Sequence, residues 1–287
     1  MNWEAFISTH EASIRLSFFI GTFALMAIWE MLAPKRILTV SKRIRWVNNI
    51  SLVFLNTLLL RLIFPTAAVG IAAYAADHQW GVLHQIQLTL PVAILLSILA
   101  LDLVIYLQHV LIHAIPLFWR FHRVHHADLD YDVTTGIRFH PVEILFSMVI
   151  KFGAIILLGP PLLAVVMFEI LLNAMSMFNH GNVRLPKSLD TALRCLVVTP
   201  DMHRVHHSVE DNETNSNFGF NLSCWDRLFG TYIAQPRAGH EMMRIGIHHL
   251  RNQKHVTWLP GILALPLIGK VTGYAINRRS WSAPDEH

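Results

Sequence analysis

Eight histidines fall into three tight clusters, and any fold for this chain must account for them. They are His109-x-x-x-His113, His122-x-x-His125-His126 and His203-x-x-His206-His207. Imidazole is the commonest protein metal ligand. Residues three and four apart share one face of a helix, so each cluster aims its rings into one space. Eight rings exceed the four ligands that a zinc ion usually takes. They suit a pair of metal ions. The fold must therefore bring positions 109–126 and 203–207 to the same place.

Composition makes that demanding. Hydrophobic residues make up 53% of the 287 positions and charged residues only 15%, against roughly 25% charged in soluble domains. This is the profile of a membrane protein. The net charge of +4 is modest, and no basic patch with interleaved aromatics points to nucleic acid. Cys195 and Cys224 form neither a CxxC pair nor a disulfide framework. The start of the chain, Met1 to Glu11, is acidic and lacks the basic region of a signal peptide, so the first apolar span is expected to serve as an anchor.

Four apolar regions stand out: Ser13–Leu32, Trp46–Ala76 interrupted by Pro65, Leu88–Ile112, and Pro141–Phe178. About 20 apolar residues suffice to cross a bilayer as a helix. Lys35, Arg36, Lys42, Arg43 and Arg45 lie between the first two spans, and the positive-inside rule places that segment in the cytoplasm. The third span then delivers His109 and His113 to the cytoplasmic side. A single crossing by the fourth region would put the 203–207 cluster across the membrane from the rest. Gly159-Pro160-Pro161 in its middle is a strong turn signal. The fourth region thus reads as a helical hairpin. The expected architecture is all-α, an integral membrane protein of about four transmembrane helices or hairpins with a cytoplasmic, histidine-rich cap holding a di-metal site. Residues 1–90 form the membrane anchor, 91–235 the catalytic domain and 236–287 a cytoplasmic or interfacial tail. Leu259–Ile268 is too short to span and is expected to lie at the interface.

Several motifs in order resemble the fatty acid hydroxylase/sterol desaturase superfamily over roughly residues 95–235. Asp102-x-x-x-Tyr106-x-x-His109-x-x-x-His113 matches its first box, Trp119-Arg120-x-His122-Arg123-Val124-His125-His126 its second, and Thr199-Pro200-x-Met202-His203-Arg204-Val205-His206-His207-Ser208 its third. Arg138-Phe139-His140-Pro141-x-Glu143, Asn179-His180-x-Asn182, Asn217-Phe218-Gly219 and Trp225-Asp226-Arg227-Leu228-Phe229-Gly230-Thr231 resemble lesser signatures. One departure is Gln108-His109, where many members have His followed by Arg.

The resemblance implies a histidine-ligated di-iron centre that activates O2 to hydroxylate or desaturate a lipid, with zinc as a substitute metal. His180 joins the ligand set through its signature. His140, before a proline at a membrane edge, reads equally as a ligand or as a helix-start residue. Asp102, two turns above His109, is expected to hold a ligand ring in its tautomer. Glu169 is a weaker case of the same, with Asn173 as its partner. Tyr106 and Trp119 read as interface-belt aromatics, Asp226 as a brace, and His10, His78, His84, His240, His248, His249, His255 and His287 as surface residues. No dinucleotide motif, iron–sulfur cysteine set or haem domain is apparent, so a separate electron-donor protein is implied. No endoplasmic-reticulum retrieval signal is apparent, and a bacterial inner membrane is the expected location. The competing class is a metal-transporting or metal-storing membrane protein. Transporters keep such residues near the bilayer midplane, whereas most of these lie just beyond the spans.

Overall fold

The apolar segments become helices and the polar segments fold over one end of them. A computed structural model describes residues 3–269, so His287 lies outside the described residues. The order is α1 (Trp3–Leu32), α2 (Lys42–Ile63), α3 (Ala67–Asp77), α4 (Leu90–Ala114), α5 (Pro116–His126), α6 (Pro141–Leu158), α7 (Leu162–Asn179), α8 (Lys187–Leu193) and α9 (Pro200–His206), followed by short helical turns. No strand occurs among the described residues, only isolated bridges. Five helical stretches are long and apolar enough to cross a membrane. They are Thr9–Leu32, the α2–α3 stretch, α4, α6 and α7.

Proline and glycine set the breaks. Pro65 separates α2 from α3. A proline opens α4, α5, α6 and α9 within the first turn, where its missing N–H costs nothing. Gly159 ends α6 in the left-handed conformation, φ +66°, and Pro161 precedes α7. The fourth apolar region is thus two antiparallel helices of 18 residues each. Their turn packs on the α3–α4 connection, where a Cβ on Gly81 would lie only 2.2 Å from the Gly159 nitrogen. Both turns therefore sit at the end of the bundle away from the histidines.

The span interior is apolar and close-packed. Ala68, Val69 and Ala72 of α3 meet Leu101 and Ile105 of α4, Ile155 of α6 and Val165, Val166 and Phe168 of α7. Small residues on α3 allow close helix approach. Glu169 is tied by ion pairs of 3.1 Å to both Lys151 on α6 and Arg15 on α1. Its role is to join three helices, and Asn173 donates to the Glu169 backbone carbonyl rather than to the carboxylate. Leu259–Ala264 and the following 3-10 turn dock on the histidine-bearing end. Ile262 and Leu265 bury completely with Val124, Ala127 and Leu52, while Leu267 stays 86% exposed.

Cysteine labelling tests this layout. Arg184 and Lys254 are exposed at the histidine end and Gln87 at the other. With the exposed Cys195 and Cys224 replaced by serine, a membrane-impermeant thiol reagent should reach Arg184→Cys and Lys254→Cys from one face and Gln87→Cys from the opposite face. Labelling of Arg184→Cys from the same face as Gln87→Cys would rule out the hairpin.

Candidate metal centre

The nine histidines named above come together in a buried interior, each at most 6% exposed. Their ring nitrogens form two groups that could each hold a metal ion. His109, His113, His122, His126 and His206 make one, and His125, His180, His203 and His207 the other. Within each group the nitrogens lie within 4.8 Å of one another. Each group draws on segments before and after the α6–α7 hairpin.

The spacing tests whether metal fits. Nε2–Nε2 separations run 3.2 Å for His109–His122 and His113–His126, 3.0 Å for His109–His206, 3.1 Å for His125–His180 and His180–His203, and 3.2 Å for His180–His207. Nitrogens bound at roughly 2.1 Å and at right angles about one ion sit ~3.0 Å apart. Ring hydrogen bonds alone do not explain the pattern, because the Nε2 of His109 and of His180 each face several others. The spacing fits a metal ion between the rings of each group.

Groups behind the rings fix which nitrogen points inward. The Nδ1 of His109 donates to the Phe218 carbonyl at 2.9 Å, His125 to Arg138 at 3.2 Å, His180 to Ser176 at 2.7 Å and His206 to Ser216 at 2.7 Å. A carbonyl only accepts, so Nδ1 carries the proton and the Nε2 lone pair faces the centre. His122 differs: its Nδ1 faces the Glu143 carboxylate at 2.6 Å. The Nδ1 atoms of His126, His203 and His207 have no hydrogen-bond partner among the described residues. Packing holds these rings, and His126 stacks on His207 with centroids 4.5 Å apart. Burial, reinforced by neighbouring rings, pushes the pKa values of His125, His126, His203, His206 and His207 well down, and that of His180 to about 3. Neutral imidazole is the form that binds a metal.

The acceptor carbonyls are themselves clamped. Asp226 accepts from the Phe218 and Gly219 amides at 2.7 and 2.8 Å and from Thr231 at 2.7 Å. Burial raises its carboxyl to about 6. Asn217, at φ +51°, bridges the Met202 and Ile233 carbonyls. Asp102 accepts from the Asn221 and Leu222 amides and from the Trp225 indole at 2.9 Å. The expected contact between Asp102 and a ligand ring is replaced by this one, because the Phe218 carbonyl occupies His109 Nδ1. Asp102 thus acts on the centre through the 217–222 loop.

The loop after His126 forms a second clamp. Arg45 grips Asp128 through two bonds of 2.7 and 2.8 Å and reaches Asp132 at 2.5 Å. Burial alone would raise the Asp128 carboxyl, but Arg45 brings it down to about 2. Arg138 bonds the Val124 carbonyl and Asn49. Glu30 of α1 accepts from both the Val133 and Asn182 amides. At Gly136 a Cβ would fall 2.5 Å from the Ser176 carbonyl and 3.1 Å from His180 Nδ1, so only glycine fits beside that ring.

Other expectations resolve here. His140 caps α6, accepting from the Val142 amide through Nδ1 while Nε2 meets the Leu263 carbonyl. It stands outside both groups. Trp119 and Tyr106 are buried rather than in an interface belt. Trp119 packs on the His113 and His126 rings, and Tyr106 bonds Thr231. His240 is largely buried, 3.9 Å from Asp201. Glu143 was missed as a partner of His122. Its signal was the acid three residues after His140 in His140-Pro141-x-Glu143, which places a carboxylate in the first turn of α6 facing α5.

Two substitutions test the clamps. Glu143→Ala should lower metal affinity by roughly 10–100-fold, with Glu143→Gln intermediate because an amide oxygen still accepts from Nδ1. Metal analysis of the purified proteins would show this, and wild-type metal content in Glu143→Ala would remove Glu143 from the site. Asp102→Leu leaves one buried and two part-buried donors unpaired, at ~1–3 kcal/mol for the buried one. It should lower thermal stability and metal retention together, while Asp102→Asn keeps most of both. Wild-type unfolding and metal content in Asp102→Leu would make it a packing residue only.

Similarity to known proteins matches this geometry. The fatty acid hydroxylase family model matches residues 94–231, the stretch holding all nine histidines. Ornithine lipid hydroxylase OlsE of Rhizobium tropici is 29% identical over 237 residues, 76% of this chain and 67% of that protein. Alkylglycerol monooxygenase of Xenopus tropicalis is 29% identical over 54% of this chain, and that of Homo sapiens 24% identical over 54%. The chain spans only about a third of those two proteins, 32% and 36%. No solved structure matches. Over residues 94–231, just under half of its length, the chain is similar to the fatty acid hydroxylase family.

Proposed function

We propose that the protein is a di-iron lipid hydroxylase of the membrane, with the nine histidines as metal ligands and residues 91–235 as its catalytic unit. The observation that carries this reading is the pair of buried all-imidazole groups, five and four rings, at the mouth of a helical bundle. Two iron ions bound there would supply the activation of O2 for attack on an unactivated C–H bond. Zinc would fit the same nitrogens and stand as a substitute.

The chain's own residues have defined parts. The Phe218, Arg138, Ser176 and Ser216 carbonyls and the Glu143 carboxylate hold ring tautomers. Trp119, Phe218 and Tyr131 pack against the rings and exclude water from them. Hydroxylation consumes O2, two electrons and two protons per oxygen inserted, the second oxygen leaving as water. A separate redox protein supplies the electrons on the histidine-bearing face, which the lysine and arginine bias of residues 35–45 assigns to the cytoplasm. The bacterial relative, named for ornithine lipid, favours a polar-headed membrane lipid as substrate and a bacterial inner membrane as location.

His206→Ala removes one ring of the larger group together with its bond to the Ser216 carbonyl. It should lower bound metal and abolish product formation. Lipid mass spectrometry of cells with the wild-type chain should show a lipid class gaining one oxygen, absent with His206→Ala. Full metal and full product in His206→Ala would overturn the reading. Bound metal without any lipid change in the wild type would favour metal storage instead.

A further inference from the structure

Two apolar grooves flank Arg43 on the outer surface of the bundle, and no histidine lines either. The larger, about 800 Å3, runs between α1 and α2 and is lined by Met31, Trp46, Ile50 and Phe54. The smaller, about 300 Å3, lies on the other side of α2 against Trp258. Arg43 and Val47 line both. Arg43 is exposed, and no hydrogen bond or ion pair holds it among the described residues.

The larger groove has the polarity profile of one lipid molecule. Lys42 and Arg43 stand at its head. Trp46, amphipathic, comes one turn below, with Lys42 Nζ 4.5 Å over its ring and 3.9 Å from Glu30. Ile50 and Phe54 form the far end, and Phe54 is 72% exposed. From Lys42 to Phe54 the helix rises ~18 Å. Half the hydrocarbon core of a bilayer is roughly 15 Å thick, so the groove is as long as one leaflet is deep. Cations at the headgroup level attract anionic lipid.

We propose that this face of α1 and α2 binds a diacyl lipid with an anionic headgroup, one acyl chain in each groove and the phosphate on Arg43. The site lies beside the second clamp of the metal centre. The Trp46 indole donates to Asp132, which Arg45 also holds, at 3.2 Å. A lipid here leans on the bracing of the metal centre rather than on the metal ligands, and the proposal does not depend on which reaction the centre performs.

Native mass spectrometry of the purified full chain tests it, with dioleoyl phosphatidylglycerol and dioleoyl phosphatidylcholine titrated separately. The anionic lipid should bind one copy per chain more tightly, by roughly 10- to 30-fold, the weight of two cations near an anionic headgroup. Lys42→Gln/Arg43→Gln should remove the preference while leaving metal content unchanged. Val47→Trp, which keeps both cations but fills both grooves, should weaken binding of either lipid. It stands as the test if the double variant fails to fold. Equal affinity for the two lipids, an unchanged preference in Lys42→Gln/Arg43→Gln, or full binding in Val47→Trp would each overturn the proposal. Competition by glycerol 3-phosphate as strong as by the lipid would show a phosphate site with no acyl recognition, and would also overturn it.

Discussion

Arg45 has no exposed surface, yet it joins the membrane helices to the segment that carries the second histidine cluster. Its guanidinium holds Asp128 on two sides and Asp132 on a third. A bidentate fork of this kind fixes direction as well as distance, which a lysine could not do. Removing one partner of such a buried pair typically costs ~3–5 kcal/mol, since the other charge is left unpaired. The consequence spreads because Asp128 immediately follows His126 and Ala127. The loop from 128 to 135 closes under the rings, its Tyr131 hydroxyl reaches the carbonyl of Asn179 beside His180, and its Asp130 caps the turn into α2 through the Thr39 and Val40 amides. One cation thereby sets the position of two histidine-bearing segments and of the turn into α2.

A second theme is the use of backbone carbonyls where many metal sites use carboxylates. Four of the nine rings point their outer nitrogen at a carbonyl and one at an acid. Carbonyls orient a ring without adding negative charge. The centre as a whole therefore leaves a bound cation less neutralised than a carboxylate-bridged helical bundle would. The acids nearby, Asp128, Asp132 and Asp226, face arginine or backbone amides instead. Glu143 is the exception, and it makes the larger group electronically distinct from the smaller.

Much of this was legible in the sequence because it was local and periodic. The clusters at three- and four-residue spacing named eight rings, and the positional constraint on the 203–207 cluster led to the hairpin at Gly159-Pro160-Pro161. The interruption at Pro65 was visible for the same reason. What stayed hidden was pairing over long sequence separation. That Asp102 serves the 217–222 loop rather than His109 depends on contacts across 119 to 123 positions. Spacing along one helix cannot reveal that a carbonyl from a distant loop has already taken the ring nitrogen. The burial of Trp119 and Tyr106 was obscured similarly: an aromatic at a helix end looks the same whether it meets lipid or a folded cap. Glu169 looked functional because charge within a span often is, but its cations came from two other helices, one of them 18 positions back on α6 and one at Arg15.

The division of each histidine group across the α6–α7 hairpin has a consequence for biogenesis. His109 and His206, 97 positions apart, face one another at 3.0 Å, and His125 meets His180 at 3.1 Å. Neither group is complete until both arms of the hairpin are in the bilayer and the following polar segment has come back to the same side. A nascent chain that has emerged only as far as α5 holds four rings of one group and one of the other. Completion of both histidine groups is therefore downstream of membrane insertion, and a chain whose hairpin fails to insert is left with both groups incomplete as well as misthreaded.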